Sequence, residues 1–214
     1  MTKRTMDVAL SGVGLVLLAP VFLLLALLIR ITSPGPVLFR QQRVGRGLRP
    51  FTMLKFRTMS LDAEQGGPLT VGDDPRITSV GRVLRRTRLD EIPQLFNVLR
   101  GDMSLVGPRP EISRYVDRYP EEFEQILRCR PGMTDPASIR YRDESERLGR
   151  AVDAEQEYLQ NILPQKIRIA KEYAGRATLL TDLVILFATA LALVRGEGSA
   201  VEIDAGPSDE AAGT

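Results

Sequence analysis

Residues 8–31, VALSGVGLVLLAPVFLLLALLIRI, form an apolar run carrying one charge, Arg30. A helix needs about 20 such residues to cross a hydrocarbon core, so this run is long enough to span a membrane. Pro20 lies in its middle, where it removes a backbone hydrogen bond and presses on the preceding turn, which predicts a bend. Basic residues stand on both sides, Lys3 and Arg4 before the run and Arg30, Arg40, Arg43 and Arg46 at its end and beyond. Positive charge at both flanks gives no clean direction for a crossing. Two topologies stay open: a re-entrant helix hinged at Pro20 that enters and leaves by the cytoplasmic face, and a proline-kinked spanning helix. A signal peptide fits less well, because the run exceeds the usual apolar length and no small-x-small cleavage site accompanies it.

Beyond the run the periodicity shortens. Ser33-Pro34-Gly35-Pro36 ends the helix, and residues 37–41 and 50–56 read as short strands joined by Val44-Gly45-Arg46-Gly47. Residues 62–79 read as a loop, and residues 80–99 turn helical. A short helix is expected over 120–129, and helical spacing over 153–174 with Pro164 as a break or new start. Residues 179–194 are apolar except for Asp182 and too short for a comfortable span, so they read as an amphipathic or buried helix against the membrane face. From residue 196 onward the chain is acidic and rich in small residues, which predicts disorder. The expected fold is α+β and mainly helical: a membrane-embedded helix over 1–33, a compact unit over 34–195 and a disordered tail over 196–214.

Composition narrows the chemistry. Among 214 residues there is no histidine and one cysteine, Cys129. The common neutral-pH proton shuttle, intrachain disulfides and multi-cysteine zinc sites are thereby excluded. Catalysis would rest on carboxylates, Lys, Arg, Tyr or Ser, with a hard metal ion. Residues 3–57 hold nine basic residues against one acid, Asp7, so this stretch should seek anions. Without tryptophan, and with the basic residues flanking an apolar run, the expected partner is anionic lipid or phosphate and not nucleic acid.

The densest chemistry lies in residues 82–110, RVLRRTRLDEIPQLFNVLRGDMSLVGPRP. Proline is tolerated only in a helix's first turn, so Pro93 sets a register that puts Asp90 and Glu91 at a helix N-terminus, with Ile92, Leu95, Phe96 and Leu99 as the apolar face. Such an end favours phosphate. Arg82, Arg85, Arg86 and Arg88 precede it, so one carboxylate could serve as nucleophile while the other holds a divalent ion. Acidic pairs at helix starts are also common solvated caps. Arg109, held between Pro108 and Pro110, suits bidentate phosphate binding or a tight surface turn. Lys55 and Arg57 alternate with apolar neighbours, as on a strand whose basic side faces a site or protects an edge.

The string DDPRITSVGRVLRRTRLDEIPQLFNVLRGDMSLVGPRP at 73–110, with PGPVLFRQQRVG at 34–45 and FTMLKFRTM at 51–59, resembles the bacterial sugar transferases, the monotopic polyprenyl phosphate phosphoglycosyl transferases. The resemblance implies a catalytic domain on the cytoplasmic face of the bacterial inner membrane, magnesium, and transfer of a sugar-1-phosphate from a UDP-sugar to polyprenyl (undecaprenyl) phosphate in glycoconjugate or exopolysaccharide synthesis. It implies a ping-pong route in which Asp90 attacks the β-phosphate and UMP leaves. It also assigns the metal to Glu91, and phosphates or nucleotide to Arg85, Arg109 and Arg140, with Lys55, Arg57 and Arg88 as further phosphate-binding candidates. The chain departs from the family pattern at Ala19-Pro20, where Ser-Pro is frequent, and at residues 133–138. A homodimer is left open, and the competing readings are a basic membrane adaptor and a prenyl-phosphate phosphatase.

Overall fold

The computed structural model describes residues 2–61, 63 and 67–195. The expected tail at 196–214 lies outside them. Helix α1 runs from Lys3 to Thr32, capped by the Thr2 hydroxyl, and is assigned continuously through Pro20. It is the one helix among the described residues long and apolar enough to cross a membrane. A seam at helical spacing, Asp7, Ser11, Leu18, Phe22, Leu25 and Ile29, faces the rest of the protein, while Val16, Leu17, Leu23, Leu24 and Ile31 are exposed. That contiguous apolar face is larger than a water-soluble surface normally tolerates.

The domain holds α1 at both ends. Lys3 donates to the Val106 carbonyl (2.9 Å) and pairs with buried Asp182. Arg4 reaches the carbonyls of Val98 and Leu99, and Asp7 accepts from Ser104 Oγ and the Leu105 amide. At the other end, Arg57 donates to the carbonyls of Ser33 (2.8 Å) and Pro34 (2.6 Å).

After α1 come β1 (Leu38–Val44) and β2 (Pro50–Phe56), an antiparallel pair running from Leu38↔Phe56 to Val44↔Pro50. The connection uses a short 3-10 turn with Gly47 at φ +64°. The pairing extends beyond the expected 37–41 because Gln42, Arg43 and Val44 continue the ladder. Helix α3 (Gln94–Arg100) covers the other edge of β2. Asn97, fully buried, accepts from the Leu54 amide (3.0 Å) and donates to the Thr52 carbonyl (2.7 Å), as a neighbouring strand would.

The helical pattern over 80–99 is two helices, α2 (Ser79–Arg86) and α3 (Gln94–Arg100). Arg88, in the left-handed region at φ 58°, ends the run because neither helix can continue through that conformation. Thr78 caps α2, and Gly81 lies so close to the Thr58 backbone that a Cβ would collide with it. Two short parallel strands follow, β3 (Ser104–Val106) and β4 (Gly132–Thr134), in register Ser104↔Gly132. Between them stand α4 (Ser113–Val116) and α5 (Pro120–Ile126), the latter ending before the expected 129.

Helices α6 (Pro136–Arg140), α7 (Glu144–Gly149) and α8 (Ala154–Glu157) lead to α9 (Leu163–Arg176) and α10 (Leu179–Arg195). A π-turn over Tyr158–Ile162 joins α8 to α9, so Pro164 enters at the start of α9 without breaking the rod. Helix α10 buries Asp182, Ile185, Ala188 and Ala192 and exposes Leu180, Leu183, Val184 and Phe187. Helices predominate around two small sheets. One apolar core lies beneath α1, β2, α3 and α10, and a second beneath α4, α5, α7 and α9.

Candidate active site

Asp90 and Glu91 sit in a 3-10 turn, Leu89–Glu91, ahead of α3, and not in its first turn as the register of Pro93 predicts. Pro93 precedes the helix by one residue as its N-cap. The amides of Glu91, Ile92, Leu95 and Phe96 all donate to carbonyls three residues back. The turn thus uses four of the amides that a helix end would have offered to phosphate, and the cationic side chains nearby supply the rest of the positive charge. The apolar face is also redrawn: Ile92, Leu95 and Val98 are buried, whereas Phe96 is half-exposed beside Phe22, their ring centroids 6.0 Å apart.

The two carboxylates, both buried, differ sharply in surroundings. Glu91 Oε1 gathers three cations: Arg109 Nη2 at 2.6 Å, Lys55 Nζ at 3.0 Å and Arg88 Nη1 at 3.7 Å. Burial pushes its carboxyl upward, but Arg109, Lys55 and Arg88 together hold it well below the usual carboxylate range. Asp90 has no ion pair among the described residues, and its Oδ1 is buried without a hydrogen-bond partner. Burial raises its carboxyl above the ordinary value, against the weaker pull of Lys55 and with the help of the Glu91 charge. Neighbouring carboxyls driven in opposite directions mark separate chemical roles. Glu91 is held as an anion by its three cations, and Asp90 is the more basic of the two and the one without an ion pair.

Lys55 comes from β2 and Arg109 from the Pro108-Arg109-Pro110 turn after β3, so the cations reach Glu91 from two separate elements. The Arg109 amide donates to Asp135, which also caps α6 by accepting from the Ser138 amide. Arg85 lines the same cleft, with Nε on Thr58 Oγ1 and Nη1 on Thr70 Oγ1, both at 2.8 Å. The cleft encloses about 1710 Å³. It therefore brings together Asp90, Glu91, Lys55, Arg85, Arg88 and Arg109.

Two candidates stand apart. Arg57 lines the cleft wall, yet its two terminal nitrogens are committed to the carbonyls that follow α1. Arg140 lines a separate small hollow with Gln165 and Arg147, because α6 turns it away from the carboxylates. Conversely, the cleft includes Arg43, Glu111, Tyr115, Tyr158 and Lys166, which the sequence reading passed over. Only Glu111 had a local signal, as the residue that follows Pro110, the second of the two prolines around Arg109.

A hard divalent cation takes oxygen ligands and is commonly held by one or two carboxylates plus substrate phosphates. No group of three or more metal-binding side chains converges among the described residues. Asp90 Oδ1 is unpartnered, and the cations around Glu91 meet on one of its two oxygens. This donor set suits an ion delivered largely by phosphate oxygens, with the second Glu91 oxygen as the protein's contribution.

Comparison with known proteins identifies the family. The family model described as bacterial sugar transferase matches residues 1–196. The chain is 39% identical over 201 residues to UDP-N-acetylgalactosamine-undecaprenyl-phosphate N-acetylgalactosaminephosphotransferase of Aeromonas hydrophila, covering 92% of this chain and 44% of that protein. It is 48% identical over 145 residues to UDP-glucose:undecaprenyl-phosphate glucose-1-phosphate transferase of Caulobacter vibrioides, covering 64% and 53%. It spans about half the length of these two relatives. It is also 40% identical over 209 residues to exopolysaccharide production protein PSS of Rhizobium leguminosarum bv. phaseoli, covering 92% and 97%. A match over almost every described residue, including the carboxylate pair and its cations, places the chain in the bacterial sugar transferase family.

Proposed function

We propose that this protein transfers a sugar-1-phosphate from a UDP-sugar to undecaprenyl phosphate at the cytoplasmic face of the inner membrane, in exopolysaccharide or related glycoconjugate synthesis. The observation that carries the proposal is the opposite treatment of Asp90 and Glu91 in one cleft beside a membrane helix. An Asp90 oxygen attacks the β-phosphorus, and the bond to the bridging oxygen breaks to release UMP. An oxygen of the polyprenyl phosphate then attacks the same phosphorus and frees the Asp90 carboxylate. Magnesium, held by Glu91 with the diphosphate, would neutralise phosphate charge. Arg109, Lys55 and Arg88 keep Glu91 ionised, and Arg109, Arg85 and Arg88 supply positive charge to the phosphates in the cleft.

We further propose that α1 is re-entrant and does not cross. Thirty helical residues extend about 45 Å, longer than a hydrocarbon core. Both ends are bonded to the same domain, so a crossing would carry charged residues such as Arg4 and their partners to the far side. A return near Pro20 keeps both flanks on one face, and the exposed apolar face of α10 extends the same membrane-facing surface.

The test is UMP release by the purified, lipid-reconstituted protein given undecaprenyl phosphate and a panel of UDP-sugars, with and without chelator. The proposal expects magnesium-dependent UMP release that Asp90→Asn abolishes. Release of inorganic phosphate would instead favour a phosphatase, and liposome binding with no turnover would favour an adaptor.

A further inference from the structure

Past the carboxylates, the cleft continues along β1 to a group of polar side chains that the phosphoryl chemistry leaves unused. Glu111 stands two residues beyond Arg109. Its Oε1 accepts from the Tyr158 hydroxyl at 2.8 Å, and its Oε2 lies 3.3 Å from Arg43 Nη1. Lys166 Nζ is 4.0 Å from Glu111 and 5.2 Å from the centre of the Tyr158 ring, and its charge is met by Glu144 at 2.6 Å. The Tyr115 ring packs on Tyr158 with centroids 4.9 Å apart.

Tyr115 is 3% exposed, and its hydroxyl has no hydrogen-bond partner. Ser138 Oγ, on the same cleft wall, is buried and unpartnered too. Buried hydroxyls are costly to leave unpaired, so two of them on residues that line one cleft indicate groups that a ligand satisfies.

We infer that Tyr115 and Ser138, framed by Glu111, Arg43 and Lys166, form the wall that reads the sugar of the nucleotide sugar, with the Tyr115 hydroxyl bonding a sugar oxygen. This inference rests on the transferase reading above. The chemistry of the wall selects a neutral, hydroxyl-rich ligand. Glu111 and Glu144 balance Arg43 and Lys166, so the wall offers little net charge to a phosphate. The rings of Tyr115 and Tyr158 are buried and present no open face on which a nucleobase could stack; their polar edges and the fixed carboxylate are what a sugar can bond. A cleft of about 1710 Å³ has room for a hexose beyond the diphosphate.

The test is Tyr115→Phe in the reconstituted full chain, assayed for UMP release with UDP-glucose, UDP-galactose, UDP-N-acetylglucosamine and UDP-N-acetylgalactosamine, and for inhibition by UDP alone. Loss of one discriminating hydrogen bond should shrink the kcat/KM ratio between the best and worst measurable sugars about tenfold. Inhibition by UDP, which lacks the sugar, should be unchanged, and the melting temperature should not fall, because the lost hydroxyl had no partner. Ser138→Ala, run on the same panel, carries the test if Tyr115→Phe does not fold. A ratio unchanged in the folded variants, or UDP inhibition weakened by the same factor as the substrate, would overturn the inference. Absence of UMP release by the wild-type protein from every sugar would overturn the transferase reading itself, and this inference with it.

Discussion

Replacing Arg109 by Met separates the structural and catalytic parts of the cleft. Arg109 makes the shortest of three ion pairs on Glu91 Oε1, at 2.6 Å, with both side chains largely buried. Breaking a buried pair commonly costs about 3–5 kcal/mol, because the remaining charge is left uncompensated. Here Lys55 at 3.0 Å and Arg88 at 3.7 Å still face the same oxygen, which puts the expected loss near or below the lower end, about 2–3 kcal/mol. For a chain of this size that corresponds to a fall in Tm of about 4–12 °C. Removing a preorganised cation from a developing phosphoryl charge should cost about 100- to 1000-fold in kcat.

Acid should also act sooner on this variant. Glu91 has a depressed carboxyl in the folded protein, so its contribution to stability is present above the unfolded value and is lost as pH falls through the folded one. Without Arg109 the folded value rises, and acid unfolding should begin at higher pH than in the wild type. Thermal melts over a pH series and UMP release at pH 7 measure the two effects. A fall in Tm of the expected size with less than about a tenfold loss in kcat would show that Arg109 only supports Glu91, and would refute the catalytic part of the reasoning. An unchanged Tm would refute the desolvated ion pair.

Asp90→Asn should abolish UMP release without lowering Tm, since it replaces a buried carboxylate that has no ion pair by a neutral isostere; a large loss of stability would contradict the surroundings described for Asp90. In the wild type, the acid limb of kcat/KM should fall above the ordinary aspartate range, because the raised Asp90 carboxyl must ionise before it attacks; a pH–rate profile checks this. Asn97→Ala removes the bonds to Leu54 and Thr52 and should cost about 2–4 kcal/mol, read by denaturant titration, because two backbone groups of β2 are left unpaired in the core. Lys3→Met leaves Asp182 buried with the Tyr173 hydroxyl and should lower stability by about 1–3 kcal/mol, the half-exposed lysine moderating the effect.

Much of the organisation was legible in the chain. The apolar run at 8–31, the turn signals after Thr32 and the arginine-flanked Asp90-Glu91 each depend on neighbours in sequence, and local propensity reports them directly. Pro93 correctly signalled a helix start near the pair. It could not show the 3-10 turn, because that depends on the left-handed Arg88, a conformation disfavoured for arginine that only surrounding packing sustains.

The sequence by itself determined which chemistry is available: no histidine, one cysteine, and carboxylates among arginines beside a membrane-length helix. Only the tertiary structure decided which carboxylate is ion-paired and which is left unpaired. Lys55 lies 36 residues before Glu91 and Arg109 lies 18 after it, and their convergence on one oxygen follows from the packing of α3 against β2 and from the turn after β3. The same holds for Arg140, which stood near the site only by analogy, and for Tyr115, Tyr158 and Lys166, whose spacings carry no sign of a shared wall. Burial and long-range charge set reactivity here, and neither is a property of any window of sequence.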